Sequence, residues 1–286
     1  MIGLGFGNFQ SGVGGFVGLL NTYPNAAAAY SVRRLSSTYK GSLIQVRRSS
    51  DNTLQDIGFD ANGDLDTTSL LSFVGAGNGF VRTWYDQSGN SANAINTTSS
   101  SQPQIVSSGV VIVAGGLPNI NFDGAGDYLS ADLGSLNTNT SVYLANFKNF
   151  TTGQTYGTYF QLTPSIPDAF GIDKRYWAFG GTLSIRNGGA TTSGDALTIF
   201  SNHALFSAIF DGTTVVDVYE NNLAVKNRNV SGASSTRYLT IGNWAGVPSI
   251  SRAARMDISE MIIYTDDDDS RVSGIKENQN NYYSIY

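Results

Sequence analysis

The stretch Phe80-Val81-Arg82-Thr83-Trp84-Tyr85-Asp86-Gln87-Ser88-Gly89-Asn90 gathers aromatic rings, a carboxylate and amides into one short segment. Apolar ring faces beside carboxylate and amide groups are the chemistry that recognises a sugar. The same composition also suits a buried strand end whose polar groups bond the backbone of the turn that follows. Phe80, Arg82 and Trp84 alternate with Val81, Thr83 and Tyr85, which predicts a strand, and the polar residues after Asp86 predict a turn. Trp84, Tyr85, Asp86 and Gln87 are therefore the first candidates for contacting a ligand, with Trp177 and Trp244 as further aromatic candidates. The competing reading has the Asp86 carboxylate accepting backbone N–H bonds from its own turn.

Glycosidic cleavage needs two carboxyl groups at a defined separation. The chain has three glutamates, Glu220, Glu260 and Glu277. There is no cysteine, so neither a disulfide nor a thiolate metal site can form, and the lone His203 falls in a strand-like run where a structural role is expected. Asp60, Asn62 and Asp64 have the oxygen-ligand spacing that opens a calcium loop, but the distal glutamate of that motif is replaced by Leu71. Asn62-Gly63 is itself a hairpin-turn signal, and Asp66 has a helix to cap. Calcium is thus the one cofactor the spacing admits, and no other is expected. Asp123-Gly124-Ala125-Gly126-Asp127 reads as a glycine turn or an ion site. The run Asp266 to Asp269 reads as the first turn of a terminal helix, with a calcium cluster as the sharper alternative.

Positioning these groups falls to a chain that is β throughout. Short strands recur at regular spacing from Ala26 onward, the signature of a sandwich or jelly roll. The exceptions are a short helix near 66–74, capped by Asp66 and closed by Gly75, and the C-terminal helix. Charged residues make up only 14% against 41% hydrophobic, so the surface is built from Ser, Thr, Asn and Gly. The net charge of -5 and the scattered Lys and Arg exclude a nucleic-acid partner. The N-terminus lacks the basic start of a signal peptide, and its glycines interrupt any membrane span, so neither export by the usual route nor membrane insertion is expected. Residues 1–25 form a Gly-rich segment whose Phe6, Phe9, Phe16, Leu19 and Leu20 predict a docking arm for a partner, an arm over its own domain being the alternative. Residues 26–286 form the single large domain.

Several motifs together carry a resemblance. Ala29-Tyr30-Ser31-Val32-Arg33-Arg34-Leu35 with Gly41-Ser42-Leu43-Ile44-Gln45-Val46-Arg47-Arg48 resembles an opening hairpin, followed by Asp64-Leu65-Asp66, Trp84-Tyr85-Asp86-Gln87-Ser88-Gly89-Asn90, Gln102-Pro103-Gln104-Ile105 and Asn121-Phe122-Asp123-Gly124. These resemble the concanavalin-like domain of tailed-phage virion proteins. The same opening and the Tyr-Asp-Gln-Ser-Gly element are similar to the catalytic domain of the arabinofuranosidase B family. Ile209-Phe210-Asp211-Gly212, Val218-Tyr219-Glu220-Asn221-Asn222, Ile241-Gly242-Asn243 and Ile258 to Tyr264 resemble a laminin-G-type domain.

The resemblance implies an all-β, concanavalin-like jelly-roll sandwich. It implies a virion structural protein: a capsid decoration, head fibre or tail-associated adhesin, anchored to other virion proteins through the arm and displaying loops to a host-surface glycan. A homo-oligomer is expected. The laminin-G pattern places Glu220 on an exposed turn, Glu260 faces a neighbouring loop, Glu277 sits in the terminal helix, and the cysteines of the arabinofuranosidase family are missing. No enzymatic activity is therefore expected. The alternatives are a stand-alone carbohydrate-binding lectin and, behind it, an arabinofuranosidase-type glycoside hydrolase.

Overall fold

The computed structural model of the protein describes residues 16–150, 156–164, 173–179, 182–188, 190–197, 203–211, 215–221, 223–229, 236–244 and 251–286. Among the described residues the named strands pair antiparallel throughout, with one isolated parallel bridge between Thr158 and Ala253. One sheet runs Ala28–Ser31, Glu260–Tyr264, Asn139–Phe150, Ala204–Asp211, Val215–Glu220 and Leu223–Asn229. The other is built around Leu54–Ile57, Ile44–Arg48, Gly79–Trp84, Leu129–Leu136, Thr236–Ile241 and Tyr156–Thr163. The strand Asn139–Phe150 serves both sheets. Its first part pairs with Ala204–Asp211 and Glu260–Tyr264, and after a register shift its last residues pair with Arg255–Ile258.

Alternation explains the layering. Val142, Leu144 and Phe147 face inward with Phe206, Ala208 and Phe210 into the main core, which also takes Trp84, Phe122, Phe160 and Ile263. The intervening residues Tyr143, Ile209, Ile262 and Tyr264 face outward and are covered by Val272 and Ile275 of the terminal helix and by Leu19 and Leu20. The fold is thus an all-β sandwich to which, among the described residues, three α-helices are added. Asp66 accepts from the Ser69 N–H at 2.9 Å to start the helix Thr67–Val74, and Gly75 closes it. Asp268 accepts from the Ser270 N–H at 3.0 Å at the entry to the terminal helix Val272–Tyr283, so the acidic run does act at a helix start. No helix among the described residues is long and apolar enough to cross a membrane.

The expected docking arm is corrected where it is described. Leu19 and Leu20 are buried in this chain's own second cluster, because the one-turn helix Leu19–Thr22 fills a gap beside the terminal helix. Phe16 lies against the Arg34 guanidinium at 4.7 Å, and Phe59 lies against the same group at 4.9 Å. Phe6 and Phe9 lie outside the described residues.

A buried ion pair joins the two ends of the chain. Arg33 donates to both carboxylate oxygens of Glu260, at 2.7 and 3.1 Å. Ser31, Gln279 and Tyr283 donate to the same carboxylate. Glu260, expected to face a loop, is instead completely buried. It locks the terminal helix to the first strand.

Candidate active site

The element Trp84–Asn90 turns inward. Trp84 is fully buried, its ring 5.7 Å from that of Tyr30. Asp86 Oδ1 accepts from the N–H groups of Ala29 at 2.8 Å and Ser88 at 2.9 Å, while Oδ2 accepts from the Ser88 hydroxyl at 2.7 Å and the Ala92 N–H at 3.1 Å. Gln87 accepts from Leu35 N–H and donates to Arg33 O, both at 2.8 Å. The polar groups of Asp86 and Gln87 therefore bind backbone, and none of the three side chains lies on the surface. Trp84, Asp86 and Gln87 are corrected from ligand contacts to inward-facing ties between the turn and the first strand. Tyr85 remains half-exposed and donates to Asp56 at 2.8 Å. Burial and Asp56 together push its hydroxyl up to about 12.

The remaining sequence candidates scatter. Trp244 is half-buried, with the Arg252 guanidinium 4.6 Å from its ring. Trp177 belongs to the strand Asp173–Phe179, and its side chain lies outside the described residues. Asp60 Oδ1 accepts from Asn62 N–H at 2.8 Å and Asp64 N–H at 3.0 Å, closing its own turn, and Asp64 accepts from the Tyr282 hydroxyl at 2.5 Å. These three residues make a hairpin turn tied to the terminal helix. His203 Nε2 stands 3.4 Å from Asp257 Oδ2, and Asp257 Oδ1 accepts from Asn121 at 2.6 Å.

A general acid holds its proton better when its carboxyl is desolvated, and two carboxyl groups near the sandwich ends are shifted in that direction. The first is Glu220. It ends the strand Val215–Glu220 two residues after Val218 and four after Val216, both buried in the main core. Its cross-strand partner is Phe206, also of the core. Opposed residues of an antiparallel pair share a face, so Glu220 continues the core-facing row to the end of the sandwich. Burial raises its pKa above the ordinary glutamate value. The tip behind it is fixed, since Leu205 N–H donates to Asn221 Oδ1 at 3.0 Å and Asn221 N–H to Leu205 O at 2.9 Å. Reading the segment as an exposed turn hid this. The alternation Val216, Val218, Glu220 was the signal that places the carboxyl on the inner row.

The second is Asp127, in the turn between Ile120–Asp123 and Leu129–Leu136. It accepts from Asp123 N–H at 3.0 Å and is 7% exposed. Burial pushes its pKa up to about 7, against the lowering effect of the Asp123 N–H and with further upward effects from the Asp123 carboxyl. Gly242 packs over this turn. Its φ is +87°, and a Cβ there would stand 2.3 Å from Phe122 Cδ1 and 3.0 Å from Asp127 O, so only glycine fits. Asp269, the third carboxyl raised by burial, stands among Asp217, Asp267 and Asp268 at the foot of the terminal helix.

Asp127 sets a pH dependence. Between its ordinary value of 3.8 and about 7 the folded chain holds a proton that the unfolded chain has released. Its contribution is therefore fully present below the unfolded value and is lost as the pH rises to about 7. Chemical unfolding across this window is expected to show stability falling with pH from this group, and Asp127→Asn is expected to remove that component. An unchanged pH slope in the variant counts against the assignment.

Residues 20–117, about a third of the chain, match the family described as alpha-L-arabinofuranosidase B, catalytic. No curated relative matches the sequence. Among solved structures the chain is similar to an arabinofuranosidase complexed with arabinofuranosyl-alpha-1,2-xylobiose, at 15% identity and a TM-score of 0.66. It is also similar to a GH54 α-L-arabinofuranosidase soaked with a cyclic sulfate inhibitor, at 14% identity and a TM-score of 0.65. Each likeness covers 89% of this chain and 62% of the neighbour, so the chain spans less than two thirds of the proteins it follows.

These findings correct the expected function. The matched family is a catalytic one and the solved folds are arabinofuranosidases, while neither comparison points to a capsid, head fibre, tail or other virion component. The expectation of a chain without activity rested on the placing of all three glutamates and on the missing cysteines, and the match to a catalytic family overturns it. One of its grounds, Glu220 on an exposed turn, also gives way, since the register with Phe206 puts that residue on the core-facing row.

Proposed function

We propose that this chain is a glycoside hydrolase that cleaves α-L-arabinofuranosides. The observation that supports this most is the match of residues 20–117 to a catalytic family, on a chain whose fold follows arabinofuranosidases over 89% of its length. Within the sandwich, Glu220 is the residue we assign to the chemistry. A carboxyl at the open end of an otherwise apolar row loses hydration, keeps its proton to higher pH, and can deliver it to the leaving oxygen of a glycoside. Asp127, pushed up to about 7 by burial, is a further described carboxyl able to hold a proton near neutral pH. Cleavage needs a partner carboxylate at about 5–5.5 Å for retention or about 6.5–9.5 Å for inversion. The sandwich itself we read as concanavalin-like, its two antiparallel sheets sharing one long strand.

The test is hydrolysis of 4-nitrophenyl α-L-arabinofuranoside by the purified chain. Glu220→Gln keeps the shape and removes the transferable proton, and is expected to lower kcat by more than about 100-fold. Asp127→Asn, assayed alongside, separates a second catalytic carboxyl from a structural one. A parent protein that releases no nitrophenol, or a Glu220→Gln variant with parental kcat, ends this reading.

A further inference from the structure

Beside the Gln87–Gly89 turn lies a cleft of about 470 Å³, whose lining includes Pro24 and Asn25 from one segment and Ser36, Thr38 and Tyr39 from another. We propose that this cleft binds a neutral saccharide, and that it does so apart from any hydrolysis, since Glu220 is not among its walls.

Three features point to that ligand class. The volume falls in the range of small-molecule sites, and none of the lining residues carries a charge, which disfavours an ionic ligand against a neutral polar one. The walls offer flat apolar faces for the C–H side of a sugar ring, the Pro24 ring and the half-buried Tyr39 ring. Tyr39 is held in place. Its hydroxyl donates to Ser42 O at 2.5 Å, and a Cβ at residue 41 would stand 2.7 Å from that hydroxyl, so Gly41 is what allows the ring its position. A platform fixed before the ligand arrives loses little entropy on binding.

The polar edge suits hydroxyl partners. Ser36 and Thr38 hydroxyls stand 2.8 Å apart with either able to donate, so the pair can present a donor or an acceptor to a sugar hydroxyl. Asn25, exposed and with its backbone held in the left-handed region at φ +66°, adds an amide to the lining residues. Asp86, the chain neighbour of the lining residue Gln87, is buried and bound to backbone and so adds no charge to the lining.

The experiment titrates arabino-oligosaccharides and xylo-oligosaccharides into the Glu220→Gln chain, followed by calorimetry and by saturation-transfer NMR. Thr38→Trp, which fills the mouth at an exposed position, and Asn25→Ala are each expected to weaken binding by at least about tenfold. Thr38→Trp in the otherwise parental chain is expected to leave hydrolysis of 4-nitrophenyl α-L-arabinofuranoside unchanged. Circular dichroism and melting curves check that both variants fold. Absence of any saccharide binding, or binding that neither variant weakens, overturns the proposal. Saccharide binding lost in the cleft variants, in a parent chain that shows no hydrolysis, leaves the cleft standing and removes the hydrolase reading.

Discussion

Replacing Glu260 by glutamine is expected to destabilise the folded protein by roughly 3–5 kcal/mol, read as a lower urea midpoint at unchanged slope. The carboxylate is completely buried and receives five donors: two from Arg33, at 2.7 and 3.1 Å, and one each from Ser31, Gln279 and Tyr283. An amide in its place turns one acceptor oxygen into a donor facing other donors and leaves the Arg33 guanidinium without its counter-charge. Asn278 still accepts from Arg33 at 2.9 Å, and the Tyr282 ring still lies 4.4 Å from the guanidinium carbon, but neither neutralises it. The cost comes from breaking the pair more than from the pair's own net value. Removing both charges, as Arg33→Met with Glu260→Leu, is therefore expected to recover most of the loss. A single Glu260→Gln variant within about 0.5 kcal/mol of the parent contradicts the assignment of this pair as the lock between first strand and terminal helix.

The second large effect is expected at Asp86. Asp86→Asn keeps Oδ1 for Ala29 and Ser88, but an NH₂ at the Oδ2 position meets the Ala92 N–H and the Ser88 hydroxyl. The hydroxyl can rotate; the Ala92 N–H cannot, and remains buried without an acceptor. The expected cost is roughly 2–3 kcal/mol. Asp86→Ala should cost more, because it strands the N–H groups of Ala29, Ser88 and Ala92 together. Equilibrium unfolding gives the magnitudes, and protease cleavage within residues 86–94 reports where the structure opens. Equal stability of Asp86→Asn and parent would remove Asp86 from the architecture and return it to the candidates for ligand contact.

Local signals carried much of this fold. Alternation over Phe80–Tyr85, the cap at Asp66 with Gly75 behind it, and the acidic entry to the terminal helix each depend on neighbours within a few residues, where propensity and capping act. The Asp86 turn was also legible, because a carboxylate followed by Ser-Gly-Asn closes on its own backbone. The similarity of the first third of the chain to an arabinofuranosidase catalytic domain was legible too. The burial of a carboxyl was not, because it depends on which strand lies opposite rather than on the segment that carries it.

What sequence alone determined is an all-β chain with two capped helices and a polar, weakly charged surface. Only the tertiary structure decided which groups meet. Arg33 and Glu260 are 227 residues apart, and nothing local announces that they neutralise each other. Leu19 and Leu20 read as docking residues because most of the surface that buries them, Tyr143, Ile209, Ile262, Tyr264, Val272 and Ile275, lies more than 100 residues away. Glu220 became a candidate acid through its register with Phe206, and the Tyr39 cleft exists because three separate segments converge. Periodicity fixes which side a residue faces relative to its own strand. The pairing of distant strands fixes what that side faces, and that second relation sets burial, charge and chemistry.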